Sequence, residues 1–248
     1  MTSANVVGYE TDSLKGSAAG GIMMRGIMFN NVAGGDYDLN ALNIANIKGG
    51  YGIEDSDLIK VWDGVGYITY FFCDYEGAEE IGDKGWWDAG GVEESVLPLG
   101  TAFWFQSATE GGTNKPKSIT VSGEVESDDD VPVDIVDGKI NMLVNPFPVK
   151  AELNNEDSVA FANITGGYGV EDSDVIKVWD GVGYVTFFYC DYEGAEEIGD
   201  RGWWDAGGVE ESEIASGNAF WYVAYIPEGQ SAKTGEKAKQ MIFKNPAK

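Results

Sequence analysis

Residues 49–95 read GGYGIEDSDLIKVWDGVGYITYFFCDYEGAEEIGDKGWWDAGGVEES, and residues 166–212 read GGYGVEDSDVIKVWDGVGYVTFFYCDYEGAEEIGDRGWWDAGGVEES. The offset is 117 residues with no gap, and only Ile53/Val170, Leu58/Val175, Ile68/Val185, Tyr70/Phe187, Phe72/Tyr189 and Lys84/Arg201 differ. Each swap keeps size class and polarity. A period this long is too great for a solenoid and suits one domain per copy. Within the copy, LIKVW (58–62) and YITYFFC (67–73) are rich in β-branched and aromatic residues and are joined by Asp63-Gly64-Val65-Gly66. Asp-Gly between two such runs predicts a hairpin. The second run is apolar on both faces, which places it centrally in a sheet or between layers.

Outward from this stretch lie further short β-type runs, NVVGY (5–9), MMRGIMF (23–29), TAFWFQS (101–107) and SITVSGEV (118–125), set off by turn signals. Residues 11–22 and 108–117 read as loops, and ALNIANI (41–47) fits either a helical turn or a strand. The second half repeats the order, with VPVDIV (131–136), NMLVNPF (141–147), NAFWYVA (218–224) and a closing MIF (241–243). The acidic, Pro-bearing EVESDDDVPVD (124–134) marks the boundary. The expectation is all-β: two tandem, near-identical sandwich or barrel domains, 1–126 and 127–248.

Composition narrows the chemistry. The 248 residues carry 16 Lys+Arg against 42 Asp+Glu, a net charge of −26. Residues 233–248 hold Lys233, Lys237, Lys239, Lys244 and Lys248 against Glu236, or +4, so the remaining body is −26 − 4 = −30. Such a body repels nucleic acid and anionic lipid and suits cations or a basic partner. His is absent, which removes the commonest general base, the Ser–His and Cys–His pairs and the best zinc ligand. No apolar run reaches the roughly 18 residues of a membrane helix, so no membrane insertion is expected. Cys73 and Cys190 are repeat equivalents, one per domain, in aromatic strands; they read as buried thiols, with pairing across domains or chains left open.

Three features carry functional expectations. Trp86-Trp87-Asp88 and Trp203-Trp204-Asp205 set adjacent indoles beside a carboxylate in an acidic loop (74–95 and its repeat). If that segment is extended, neighbouring side chains point to opposite faces, and the outward indole can stack on a sugar ring. Asp55, Asp57, Asp74 and Glu76, with Asp172, Asp174, Asp191 and Glu193, are candidate calcium ligands, because calcium takes several oxygens from a bent loop; the twelve-residue EF-hand pattern is lacking. The basic segment 233–248 can reach the acidic face of another copy. With a strand-sized run at each end, it suggests head-to-tail assembly by strand or tail exchange.

Ser3 to Tyr9, Val61 to Tyr67, Leu97 to Gln106 and Asn145 to Pro148 together resemble a loose group of secreted β-rich proteins from Gram-negative bacteria, whose mature chains open on the N-V-V-G-Y run. The resemblance implies export and a β fold and no catalytic residues; on it, Met1 precedes a mature N-terminus. Domain 2 departs at Ile214-Ala215-Ser216-Gly217, where domain 1 has Leu97-Pro98-Leu99-Gly100. The reading is a secreted, non-enzymatic structural protein that assembles with copies of itself into a filament or surface layer. A glycan-binding module and a calcium-dependent adhesin are the alternatives.

Overall fold

The computed structural model describes residues 7–14, 21–32, 35–74, 84–90, 95–108, 116–126, 130–191, 201–207, 212–232 and 238–246. The chain divides into two compact units, Met1–Glu126 and Ser127–Lys248, and the fold is all-β. Its one helical element among the described residues is a 3-10 turn, Leu39–Ala41, whose preceding Asp38 accepts the Asn40 N–H at 2.8 Å.

In the first unit, β1 (Val7–Ser13), β10 (Ser118–Glu124) and β4 (Asn43–Ile44) form a three-stranded sheet in the order β1-β10-β4. A five-stranded sheet has the order β2-β9-β5-β6-β7, from β2 (Ile22–Gly26), β9 (Ala102–Gln106), β5 (Leu58–Trp62), β6 (Tyr67–Cys73) and β7 (Gly85–Asp88). A short pair joins β3 (Tyr37–Asp38) to β8 (Val96–Leu97). The second unit repeats this order with β11 (Asp130–Ile135), β12 (Ile140–Val144), β13 (Ala151–Glu152), β14 (Val159–Ala162), β15 (Val175–Trp179), β16 (Tyr184–Cys190), β17 (Gly202–Asp205), β18 (Glu213–Ile214), β19 (Ala219–Val223) and β20 (Lys239–Lys244).

The predicted hairpin is present, with Trp62 opposite Tyr67 and Leu58 opposite Phe71. Asp63 fixes its turn by accepting the N–H groups of Val65 at 2.8 Å and Gly66 at 2.7 Å, while Gly64 takes φ +96°. Alternation sorts the five-stranded sheet into two faces. Ile59, Tyr70, Trp86, Phe103 and Phe105 point to a core that Ile119 and Val121 of β10 complete from the other sheet. In the second unit Ile176, Phe187, Trp203, Phe220 and Tyr222 meet Met241 and Phe243 of β20. The apolar repeat swaps Tyr70/Phe187 and Phe72/Tyr189 are therefore substitutions at core-facing positions, which explains their conserved bulk.

The described part of the C-terminal segment, residues 238–246, does not trail free. β20 is the central strand of its sheet, between β11 and β14. Lys239 is buried and Lys244 pairs with Asp130 at 2.9 Å, so neither is available to reach another copy; Lys233, Lys237 and Lys248 lie outside the described residues. The expected exchange of MIF as an edge strand is likewise corrected, since both its neighbours are in place. At the N-terminal end, β1 does occupy an edge, with Val7 and Tyr9 exposed. Cys73 and Cys190 are buried free thiols.

Candidate functional site

The Trp-Trp-Asp segment is a strand rather than a loop. β7 and β17 pair with β6 and β16, with Phe71 opposite Trp87 and Phe188 opposite Trp204. The first indole of each pair turns inward. Trp86 and Trp203 are fully enclosed, with Phe72 5.5 Å from Trp86, and Tyr189 5.6 Å and Phe161 5.1 Å from Trp203. Asn40 accepts the Trp86 backbone N–H at 2.9 Å and Asn154 the Trp203 backbone N–H at 2.6 Å, while Ser95 and Ser212 each donate to the same residues' carbonyls at 2.8 Å. These two indoles cannot stack on a sugar, because no face of either ring meets solvent. Asp88 and Asp205 instead hold the turns that follow, accepting the N–H groups of Gly90 at 2.7 Å and Gly207 at 2.8 Å.

The second indole of each pair, Trp87 and Trp204, is half-buried on the sheet face away from the core. The strand registers bring it into line with other apolar side chains. In the second unit one row runs Ile140, Val223, Val175, Phe188, Trp204, and beside it lie Met142, Trp221 and Lys177. Trp179 and Tyr184 close the row at 5.2 Å, and the Trp221 indole N–H donates to the Tyr184 hydroxyl at 3.2 Å. The first unit sets Leu58, Phe71, Trp87, Trp104, Trp62 and Tyr67 in the same places, with Lys60 donating to Gln106 at 2.8 Å. At the hairpin tips Val65 and Val182 are 91% and 89% exposed, and Tyr67 and Tyr184 are exposed beside them. Each unit thus lines the outer face of its five-stranded sheet with aromatic side chains, of which Trp104 is buried, and ends it in an exposed apolar tip.

The calcium candidates separate into three groups. Asp55 and Asp172 brace local turns: Asp55 accepts the N–H groups of Tyr51 and Gly52 at 3.0 Å, and Asp172 those of Tyr168 at 2.9 Å and Gly169 at 2.8 Å. Burial works upward on both carboxyls, but these N–H groups and the neighbouring serine hydroxyls outweigh it and hold them below the usual carboxylate range. Asp74 pairs with Lys84 at 2.6 Å and Asp191 with Arg201 at 2.7 Å, so the one cationic swap in the repeat keeps its ion pair. Glu76 and Glu193 lie outside the described residues.

Asp57 and Asp174 are the correction of most consequence. Both are fully buried, and each faces a buried lysine rather than a cation site. Asp57 accepts the Lys48 and Ala108 N–H groups at 2.8 Å and is paired with Lys117. Asp174 accepts from the Thr165 N–H at 2.8 Å, the Tyr222 hydroxyl at 2.8 Å, the Tyr225 N–H at 2.7 Å and Lys239 Nζ at 2.6 Å. Lys239 also meets Asp137 at 3.1 Å. A buried carboxylate already neutralised by an ammonium and filled with donors has no electron pairs directed at a metal. No group of three or more Cys, Asp or Glu among the described residues is placed to hold a metal ion. The lysines were the missed partners; the available signal was a Lys at the start of the closing strand of each domain, Lys117 directly before β10 and Lys239 as the first residue of β20, with the Asp-Ser-Asp run present in both copies.

Burial pushes the Tyr222 phenol well above its usual range, and the charges of Asp174 and Asp137 and the bond to Asp174 add to it. Burial also raises Tyr37, Tyr70 and Tyr189. A folded-state value above the unfolded one gives stability that is complete below about pH 10 and is lost as pH rises through the folded value. Thermal unfolding should therefore shift to lower temperature above about pH 10, at up to about 1.4 kcal/mol per pH unit for each such tyrosine. Tyr222→Phe, which installs the residue found at Phe105, should flatten that slope in a calorimetric pH series.

No helix among the described residues is long and apolar enough to cross a membrane. No protein-family model, curated protein sequence or solved structure matches the chain, so the site is read from its own geometry.

Proposed function

We propose that the chain is a non-enzymatic structural protein of the cell exterior that assembles with copies of itself through the aromatic faces of its five-stranded sheets. The observation that carries this reading is the duplication of the face. Trp62/Trp179, Tyr67/Tyr184, Phe71/Phe188, Trp87/Trp204 and Trp104/Trp221 occupy matching positions in the two units. Val65, Tyr67, Val182 and Tyr184 at the tips are exposed beside the half-buried rings, and apolar surface of this kind marks an interaction site. Such a patch can pair with its own copy, and a chain that carries two of them can join two others, giving an open polymer. The absence of His and the near-identity of the two units agree with a repeated structural role better than with two catalytic centres.

Sedimentation velocity tests it. The chain of 26.7 kDa should form larger species as concentration rises, more readily at high salt, which screens the acidic bodies from one another. The variant Val65→Ser, Tyr67→Ser, Val182→Ser, Tyr184→Ser alters only exposed positions and should sediment as a monomer. A wild-type chain that stays monomeric at every concentration and salt level defeats the reading.

A second reading follows from the position of Trp87 and Trp204 on the same faces, where half-exposed indoles can stack on sugar rings. A glycan array separates the two: binding lost on joint Trp87→Ala and Trp204→Ala substitution favours the sugar.

A further inference from the structure

The cluster around Lys239 holds more than an ion pair needs. Three ionisable side chains, Lys239, Asp174 and Asp137, meet where 0%, 0% and 2% of their respective side-chain surfaces are exposed. Lys239 Nζ lies 2.6 Å from Asp174 Oδ1 and 3.1 Å from Asp137 Oδ1. Ile176, Tyr222 and Met241 belong to the core on which these residues sit. Ions buried this deeply regain little of the cost of leaving water, so a reaction that removes a pair of them is favoured.

We propose that the second unit closes an intramolecular amide bond between Lys239 Nζ and the side-chain carboxyl of Asp174, with Asp137 as the proton carrier. The bond does not depend on self-association. Asp137 takes a proton from the Lys239 ammonium, and the freed amine attacks Asp174 Cγ. The oxyanions of the tetrahedral intermediate lie against donors already in place: the Tyr225 N–H on Oδ1, and the Thr165 N–H and Tyr222 hydroxyl on Oδ2. Fixed donors at developing charge are the usual means of stabilising such a state. Asp137 returns its proton to the departing oxygen, then relays the second proton from nitrogen. One C–N bond forms, one C–O bond breaks, one water leaves and no electrons are exchanged. Condensation removes an ammonium and a carboxylate from the interior, and proximity replaces an external activating group.

The first unit serves as the internal comparison. Lys117 pairs with Asp57, and Ala108 donates to Asp57 as Tyr225 does to Asp174. Phe105 stands where Tyr222 stands, and among the described residues no second carboxylate meets Lys117. The bond is therefore assigned to the second unit alone.

Intact mass spectrometry of the denatured full chain tests this. The expected mass is that of the sequence less one water, with a branched proteolytic fragment joining the Lys239 and Asp174 peptides. Lys117→Met should keep the deficit, while Lys239→Arg and Asp137→Asn should restore the full mass. A full-mass wild-type chain overturns the proposal, as does a deficit with no Lys239–Asp174 branch. An unchanged deficit in Asp137→Asn removes Asp137 from the reaction, and a deficit of two waters overturns its restriction to the second unit. The wild-type mass and fragment decide the bond even where a variant fails to fold.

Discussion

Lys117→Met should lower the stability of the first unit by about 3–5 kcal/mol, the cost of leaving one member of a buried ion pair without its counter-charge. Asp57 would keep the N–H groups of Lys48 and Ala108 but would stand as an isolated anion in a site with no exposed surface. Methionine fills the space of the lysine stem, so the loss isolates charge from packing. Adding Asp57→Leu should recover much of it, because an apolar pair of similar volume is often as stable as the buried ions it replaces. Lys84→Met is the contrast: its pair with Asp74 is exposed, and a change within about 1 kcal/mol is expected. Urea unfolding followed by hydrogen exchange on peptides from residues 1–126 gives all three values. A Lys117→Met loss no larger than that of Lys84→Met would show that the buried pair carries no special weight.

Trp203→Ala should destabilise the second unit by about 3–5 kcal/mol, within the range for removing a large aromatic side chain from a core. The ring is fully enclosed and touches Phe161, Tyr189 and Tyr222, with centroids at 5.1, 5.6 and 6.1 Å. It bridges strands β14, β16 and β19, which belong to both sheets, so the cavity would open at the layer boundary. Its neighbour is the control. Trp204→Ala removes a half-buried ring on the opposite face and should cost about 1–2 kcal/mol, by the smaller area it withdraws from water. Denaturant midpoints of the two single variants measure the difference, and equal losses would contradict the assignment of faces.

The adjacent Trp pair also shows where sequence reasoning succeeds and where it stops. Alternation along a strand predicts one ring in and one ring out, and that split is present. What the sequence hid was that this segment is a strand at all: it is four residues long, and acidic, Gly-rich flanks on both sides give it the composition of a loop. The hairpin was legible because Asp63-Gly64 and its flanking runs are local signals. The roles of Asp57 and Asp174 were not, since their lysine partners lie 60 and 65 residues away and nothing local separates a paired buried carboxylate from a solvated one. The basic C-terminal segment misled for the same reason. Charge composition suggested a free tail, whereas strand pairing across the whole unit makes MIF a central strand.

The pairing of the first and last strands of each unit has a mechanical consequence. Val7 lies opposite Glu124, and Asp130 opposite Lys244, so the two ends of each unit leave it side by side. Tension along the chain then pulls neighbouring strands apart at one end and breaks their hydrogen bonds one after another, as a zipper opens, instead of shearing them all together. In the second unit the opening runs down β20 from Lys244 and reaches Lys239 last. That residue is anchored in the interior by Asp174 and Asp137, so the second unit carries its stop at the far end of the strand that yields first.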